Sequence, residues 1–216
     1  MIKINKGKEP QEWTAKYNTP DFTQYESIPA LRQALLEEQG FICAYCMRQI
    51  PVKDLSENET SKIEHIKSRS DYPDLQLEYN NMLICCPRSI DGDSHCDKSK
   101  EHQSISYSLF VPQLQQSIFY SSKDGTIKSS VPTIDDELNR ILNLNNRRLK
   151  ANRLQVIEAI IATLEKKKWK KREYEQQLEV WKTKTVKQIE HEDKLVFKPY
   201  CGVVTYFLEK KLKQYK

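Results

Sequence analysis

Along the chain, apolar positions fall into a few short periodic stretches separated by long polar ones. In "SIPALRQALLEEQG", Pro29, Leu31, Leu35 and Leu36 recur at helical spacing, which predicts a short amphipathic helix capped by Ser27 and stopped by Gly40. The alternation in "NMLICC" is that of a strand, turning Leu83 and Cys85 to one face and Ile84 and Cys86 to the other. "SIFYSSKDGTIKSS" reads as a β-hairpin, because Asp124-Gly125 is a turn signal between strand-like flanks. From Thr133, with Asp135 and Asp136 behind it, the pattern becomes helical. Leu149, Leu154, Ile157, Ile160, Ile161 and Leu164 mark one face of a long helix, and Tyr174, Leu178 and Trp181 a second. "YCGVVTYFLEKKLKQYK" predicts a final helix packing back, and no proline interrupts residues 133 to 198. The first thirty residues are polar with scattered aromatics (Trp13, Tyr17, Phe22, Tyr25) and read as a lead-in arm.

These elements predict an α+β, mostly helical protein. The expected organisation is an arm over 1–30, a cysteine-rich core over 31–103, a β-hairpin connection over 104–132 and a helical region over 133–216. At 216 residues the chain suffices for one domain with a helical extension. Its composition is lean, 38% hydrophobic against 30% charged, so much of the surface must carry charge. The formal charge of +5 favours a polyanionic partner only weakly. "MIKINKGKEPQEW" has no apolar core of signal-peptide length, and no run is long enough to cross a bilayer. The expectation is therefore a cytoplasmic protein with no membrane partner.

Cysteine changes the picture. Five of the six cysteines lie between positions 43 and 96, and Cys201 alone stands apart, read as a small buried hydrophobe. In a reducing compartment such a cluster points to metal ligation rather than disulfides. "CAYC" (Cys43 to Cys46) has the spacing of a zinc knuckle; a redox pair of the same spacing would need a βαβ setting that the pattern lacks. "ICCPRSIDGDSHCDKSK" supplies the second pair, Cys85 or Cys86 and then Cys96, with strand alternation favouring Cys86 and with His95 an alternative donor to Cys96. The insert from Pro87 to Ser94, holding Gly92 and flanking aspartates, reads as a loop that lets two thiols converge. Between the pairs sits "IEHIKSRS", and directly after Cys96 comes Asp97. Glu64 and Asp97 thus flank His65, as oxygen donors for a hard cation beside a candidate general base.

With these residues in place the segment resembles the zinc-stabilised HNH endonucleases of the ββα-metal type: Cys43-Cys46, Glu64-His65, Asn81, Cys86, Cys96-Asp97 and Lys100. "LRQALLEEQGFICAYCMRQI", "IEHIKSRSDYPDLQLEYNNMLICC", "HCDKSK" and "LNLNNRRL" are similar to the PtuB family, HNH nucleases encoded beside an AAA/ABC-type ATPase, PtuA, in Septu and retron anti-phage systems. The resemblance implies a structural zinc on Cys43, Cys46, Cys86 and Cys96. It further implies a catalytic Mg²⁺ or Mn²⁺ on Glu64 and Asp97, with Glu101 as a secondary ligand candidate four residues on. His65 would activate water, Asn81 would fix the loop presenting it, and Lys100 would contact phosphate. Lys67 and Arg69 are further phosphate candidates or solvated side chains. Two departures stand out: the broader pattern has Asp before the histidine, and His or Asn after the last cysteine.

"EKKKWKKREYEQQ" and "NNRRLKANR", the latter with Arg147, Arg148, Lys150 and Arg153, read either as a phosphate-tracking surface or as solvated helix faces. The function expected is phosphodiester hydrolysis, with DNA the substrate favoured over RNA and a PtuA-like ATPase as partner. The competing readings are an RNA-cutting toxin with the same site and a non-catalytic zinc module.

Overall fold

In the computed structural model, the described residues are 1–22, 24–51, 61–87, 94–189 and 192–215. Helix α1 (Gln11–Tyr17) is followed by α2 (Pro29–Glu38), where Pro29 occupies the first turn, a position that needs no backbone N–H. The N-cap of α2 is Ile28, which makes no side-chain cap, so the cap expected from Ser27 is not formed. The helix ends at Glu38, and the chain turns away two residues on at Gly40, whose φ of 59° is one that glycine adopts without cost. A Cβ there would also lie 2.9 Å from the Phe197 backbone nitrogen.

The expectation of a polar arm over residues 1–30 is corrected by what those residues do. Trp13 is fully buried, with Tyr17, Phe22 and Tyr25 around it at ring separations of 6.0, 5.9 and 6.0 Å. Its indole N–H donates to the Leu77 carbonyl at 3.1 Å. Met1 and Ile4 are buried as well. Aromatics scattered in sequence converge because one α-helical turn and a bend bring them onto a single indole, and each aromatic side chain can bury about 150–250 Å².

Strands β1 (Lys62–His65) and β2 (Met82–Cys85) form an antiparallel pair with Ile63 opposite Ile84, Glu64 opposite Leu83 and His65 opposite Met82. The excursion between them carries two 3₁₀ turns, Pro73–Leu75 and Tyr79–Asn81. A single turn of helix, α3 (Asp97–Lys100), follows Cys96. Of the insert from Pro87 to Ser94, residues 88–93 lie outside the described residues. Helix α4 (Pro112–Ser117) leads into the hairpin β3 (Ile118–Tyr120) and β4 (Ile127–Ser129), with Phe119 opposite Lys128.

Helix α5 (Pro132–Asp136) starts one residue before Thr133 and runs into a π-helical turn, Glu137–Ile141. Helix α6 (Arg147–Lys167) is capped by Asn146, whose side-chain oxygen accepts from the Leu149 N–H at 3.0 Å. After α7 (Lys171–Lys182) the helical region expected over 133–216 is interrupted by a strand pair. Residues Thr185–Ile189 and Glu192–Val196 form an antiparallel pair, β5 and β6, with Val186 opposite Leu195. Helix α8 (Cys201–Leu212) then packs inward through Cys201, Val203, Val204 and Leu208.

One apolar cluster includes Trp13 from α1, Leu35 from α2, the cysteines, Leu149 and Ile157 from α6, and Val204 from α8. Gln39 joins three of the parts that frame the site. Its amide N–H groups donate to the carbonyls of Ile42 (3.1 Å) and Ile84 (2.8 Å), and its oxygen accepts from the Ile84 N–H at 2.8 Å. A buried amide with these bonds fixes the end of α2, the start of the cysteine knuckle and strand β2 to one another. Among the described residues, no helix is long and apolar enough to cross a membrane.

Candidate metal centre and the Glu64–His65–Asp97 cavity

The segment around Cys43 and Cys46 is a tight reversal. Ile42 bridges Gln49, the Cys43 N–H donates to the Arg48 carbonyl at 2.9 Å, and the Met47 N–H returns to the Cys43 carbonyl at 3.0 Å. Met47 takes a positive φ of 59° to close it. Cys86 comes from the end of β2. Cys96 enters from the other side, its N–H held by the Leu142 carbonyl at 2.9 Å. The sulfurs of Cys43, Cys46, Cys86 and Cys96 all lie within 4.8 Å of one another, and all four residues are buried. The Cys43–Cys96 and Cys46–Cys86 sulfur pairs are each 3.8 Å apart. A tetrahedral ion with metal–sulfur bonds of ~2.3 Å sets sulfurs about 3.8 Å apart, so the cluster fits a metal such as zinc.

The electrostatics agree with a site that needs a cation. For Cys43, burial opposes ionisation, but hydrogen bonds from the Cys46, Cys85, Cys86 and Cys96 thiols outweigh it and hold its pKa well below the usual thiol value. Cys86 is pushed strongly up, first by its hydrogen bond to Cys43, and Cys96 is pushed up first by burial. Four buried thiols can become four thiolates only around positive charge. Cys85 is buried too and adjoins Cys43, but stands outside the mutually close four. His95 places Nδ1 at 3.2 Å from the Cys96 sulfur and 3.7 Å from that of Cys86, beside the cluster rather than in it.

Next to this centre a cavity of about 300 Å³ is lined by Glu64, His65, Ser68, Arg69, Asp97 and Glu101, among others. Glu64 is 2% exposed. Its Oε1 accepts from the Tyr45 hydroxyl at 3.0 Å and pairs with Lys100 Nζ at 2.8 Å. Burial, and then a hydrogen bond with the Asp97 carboxyl, raise the Glu64 pKa well above the usual range, while Lys100 works against the rise. Two carboxyls that line one cavity favour a shared proton or a cation between them. Among the described residues no third donor converges with them as closely as in the cysteine cluster. His65 is 7% exposed, with Tyr25 set edge-on at 4.6 Å. Burial lowers its pKa to about 4 against the hydrogen bond to Gln76. Its Nε2 lies 3.0 Å from the Gln76 carbonyl. A carbonyl only accepts, so Nε2 carries the proton and Nδ1 is the lone-pair nitrogen.

Asn81 closes the loop between β1 and β2. Its oxygen accepts from the Lys67 N–H at 2.8 Å, and its amide donates to the carbonyls of Lys67 and Leu75, both at 3.0 Å. Arg69 is exposed on the cavity lining with its guanidinium 4.9 Å from the Tyr25 ring centroid, whereas Lys67 turns to the Tyr72 ring at 5.2 Å. Two expectations for cations are corrected. Lys100, assigned to phosphate, is 0% exposed and directs its ammonium to Glu64 and to the His65 carbonyl (3.0 Å). Arg153, grouped with a basic surface, is 1% exposed and donates to the carbonyls of Gly125 (2.6 Å) and Leu144 (2.7 Å) and to Asn145 Oδ1 (3.0 Å). Sequence reasoning passed over Tyr45 and His102. The first sits inside the knuckle; the second, an exposed histidine lining the cavity, follows α3 by two residues.

The site thus defines an α+β protein in which a four-cysteine metal-type cluster adjoins a buried glutamate, a half-buried aspartate and a buried histidine. No protein-family model matches the chain. It is 27% identical over 139 residues to the Septu protein PtuB of Bacillus thuringiensis, across 64% of this chain and 50% of that protein, which supports a PtuB-like relationship. The chain therefore spans about half the length of the curated relative it matches.

Proposed function

We propose that the protein is a metal-dependent HNH endonuclease of the zinc-stabilised ββα-metal type, hydrolysing phosphodiester bonds of DNA. Its biological setting would be an anti-phage defence complex with a PtuA-like ATPase. The observation that carries the reading is the meeting of Glu64, His65 and Asp97 in one cavity directly beside the four-cysteine cluster. The similarity to a Septu protein supports the defence setting.

In this reading Cys43, Cys46, Cys86 and Cys96 hold a structural zinc, and Glu64 and Asp97 hold Mg²⁺ or Mn²⁺. When bound, that second cation neutralises charge growing on the phosphate and on the leaving 3′ oxygen. His65 Nδ1 takes a proton from the water whose oxygen attacks phosphorus, as the bond to the 3′ oxygen breaks and that oxygen collects a proton from solvent. The Gln76 carbonyl holds the ring in the tautomer this requires, and Asn81 holds the loop that carries Gln76 and Lys67. Lys100 stands behind Glu64, and the position of Arg69 on the cavity lining supports a role in meeting the substrate phosphate.

The test is nicking of supercoiled plasmid in Mn²⁺ or Mg²⁺ by the protein together with the ATPase encoded beside it, with labelled RNA assayed in parallel. His65→Ala should lower the rate by roughly 100-fold or more. Equal rates for the two proteins would remove His65 as the base, and cleavage of RNA alone would replace the substrate.

A further inference from the structure

Glu64 is held from inside the protein by one oxygen. Tyr45 and Lys100 both donate to Oε1, at 3.0 and 2.8 Å, and Lys100 also donates to the His65 carbonyl at 3.0 Å. Tyr45 and Lys100 are completely buried. Tyr45 lies between Cys43 and Cys46, inside the reversal closed by the Cys43–Arg48 hydrogen bond. Lys100 sits on the helical turn that begins directly after Cys96, and its backbone N–H donates to the Cys96 carbonyl at 2.9 Å. Both donors to Glu64 are therefore mounted on segments anchored by cysteines of the cluster.

We propose that Tyr45 and Lys100 are positioning residues that couple the four-cysteine centre to a divalent-cation site at Glu64 and Asp97, and that they bias that site toward Mg²⁺ and Mn²⁺ over Ca²⁺. The proposal rests on the reading of Glu64 and Asp97 as cation ligands. With Oε1 taken by two donors, Glu64 offers a cation Oε2 alone. Single-oxygen carboxylate ligation with remaining positions filled by water suits a small octahedral cation, whereas Ca²⁺ takes more oxygens and often both of one carboxylate. Outer hydrogen bonds of this kind orient a ligand, and their removal typically costs 10–100-fold in metal affinity.

The experiment titrates Mn²⁺ into the zinc-loaded full chain and follows free Mn²⁺ by its electron paramagnetic resonance signal, with Ca²⁺ as competitor. Tyr45→Phe removes the hydroxyl alone. It should keep about one zinc per chain, bind Mn²⁺ roughly tenfold more weakly, and let Ca²⁺ compete more effectively. Replacing Tyr45 by p-aminophenylalanine returns an N–H donor at the same reach and should restore Mn²⁺ affinity. Unchanged Mn²⁺ affinity in Tyr45→Phe overturns the coupling while leaving the cation site standing. Absence of Mn²⁺ binding by the unaltered protein removes both the site and the coupling. Should Tyr45→Phe lose its zinc, Lys100→Met decides: weaker Mn²⁺ binding supports a positioning role. Tighter binding, the result of merely deleting a competing ammonium, overturns it.

Discussion

At the scale of single residues, what the sequence makes legible is chemistry that depends on spacing. Cys43 and Cys46 declare themselves by their separation, and Glu64 and His65 by adjacency between two cysteine pairs. The buried cations do not declare themselves, because their acceptors are remote: Lys100 reaches a carbonyl 35 residues upstream, and Arg153 one 28 residues upstream. A lysine or arginine in a polar stretch looks solvent-facing until the fold supplies those acceptors. Asn81 is the residue where a minimal change is most informative. Its oxygen accepts once, and its amide donates to two carbonyls. Asn81→Asp keeps the acceptor but leaves the Lys67 and Leu75 carbonyls facing an oxygen. We expect a loss of about 1–3 kcal/mol in urea unfolding, since two part-buried carbonyls lose their donor. A loss below ~0.5 kcal/mol would mean that the loop between β1 and β2 does not depend on this amide.

At the scale of elements, the periodic segments emerge close to where apolar spacing places them: α2, β3 with β4, α6, α7 and α8. The β5–β6 pair does not. "VKQIEHEDKL" has no Gly, Pro or Asn to mark a reversal, and its lysines, glutamates and glutamine are good helix formers, so local propensity pointed the wrong way. The β3–β4 hairpin is the opposite case, and its turn gives a sharp test. Gly125 has φ 71°, and a Cβ there would lie 2.2 Å from the Lys150 carbonyl oxygen and 2.9 Å from the Leu154 nitrogen, both backbone atoms of α6. Neither can yield as a flexible side chain would. Gly125→Ala should cost about 2–4 kcal/mol, from backbone strain plus overpacking against the helix. Gly7→Ala, whose Cβ would meet only a glutamate oxygen at 3.8 Å, serves as the control in the same thermal melts. The cysteine elements divide in the same testable manner. Cys86→Ser should lower the zinc content measured by elemental analysis, and Cys85→Ser should leave it at about one per chain; the reverse result would put the wrong residue at the end of β2 into the cluster.

At the scale of the whole molecule, the cysteine-rich segment is not insulated from what surrounds it. The Met47 carbonyl accepts from the Tyr200 N–H at 3.0 Å, and Cβ on Gly202 would collide with the Met47 sulfur at 2.8 Å, so the knuckle and the start of α8 are in close contact. The Leu142 carbonyl holds the Cys96 N–H, and the Asn143 amide donates to the Ser94 carbonyl at 2.8 Å. Leu144 and Asn145 then accept from Arg153 of α6, while Asn145 Oδ1 also accepts from the Ile127 N–H of β4 at 2.9 Å. "LNLNN" is thus the clasp between Cys96, the β3–β4 hairpin and α6, a role its sequence gives no means of reading. A metal drawn out of the four-cysteine cluster would leave like charges or unpaired thiols where the knuckle, the end of β2, the Leu142 segment and the start of α8 meet. We therefore expect chelation to abolish the cooperative thermal transition of the entire chain, rather than to melt residues 31–103 beneath an intact helical region. Hydrogen exchange read by mass spectrometry separates the two: global coupling predicts that amides of α6 and α8 lose protection together with those of β1 and β2 when the metal is removed. Protection that survives in α6 and α8 would show that the C-terminal helices fold without the centre. The same physics predicts that the excised segment 31–103 stays unfolded even with saturating zinc, because it lacks Trp13, Leu142 and the α8 face that complete its core.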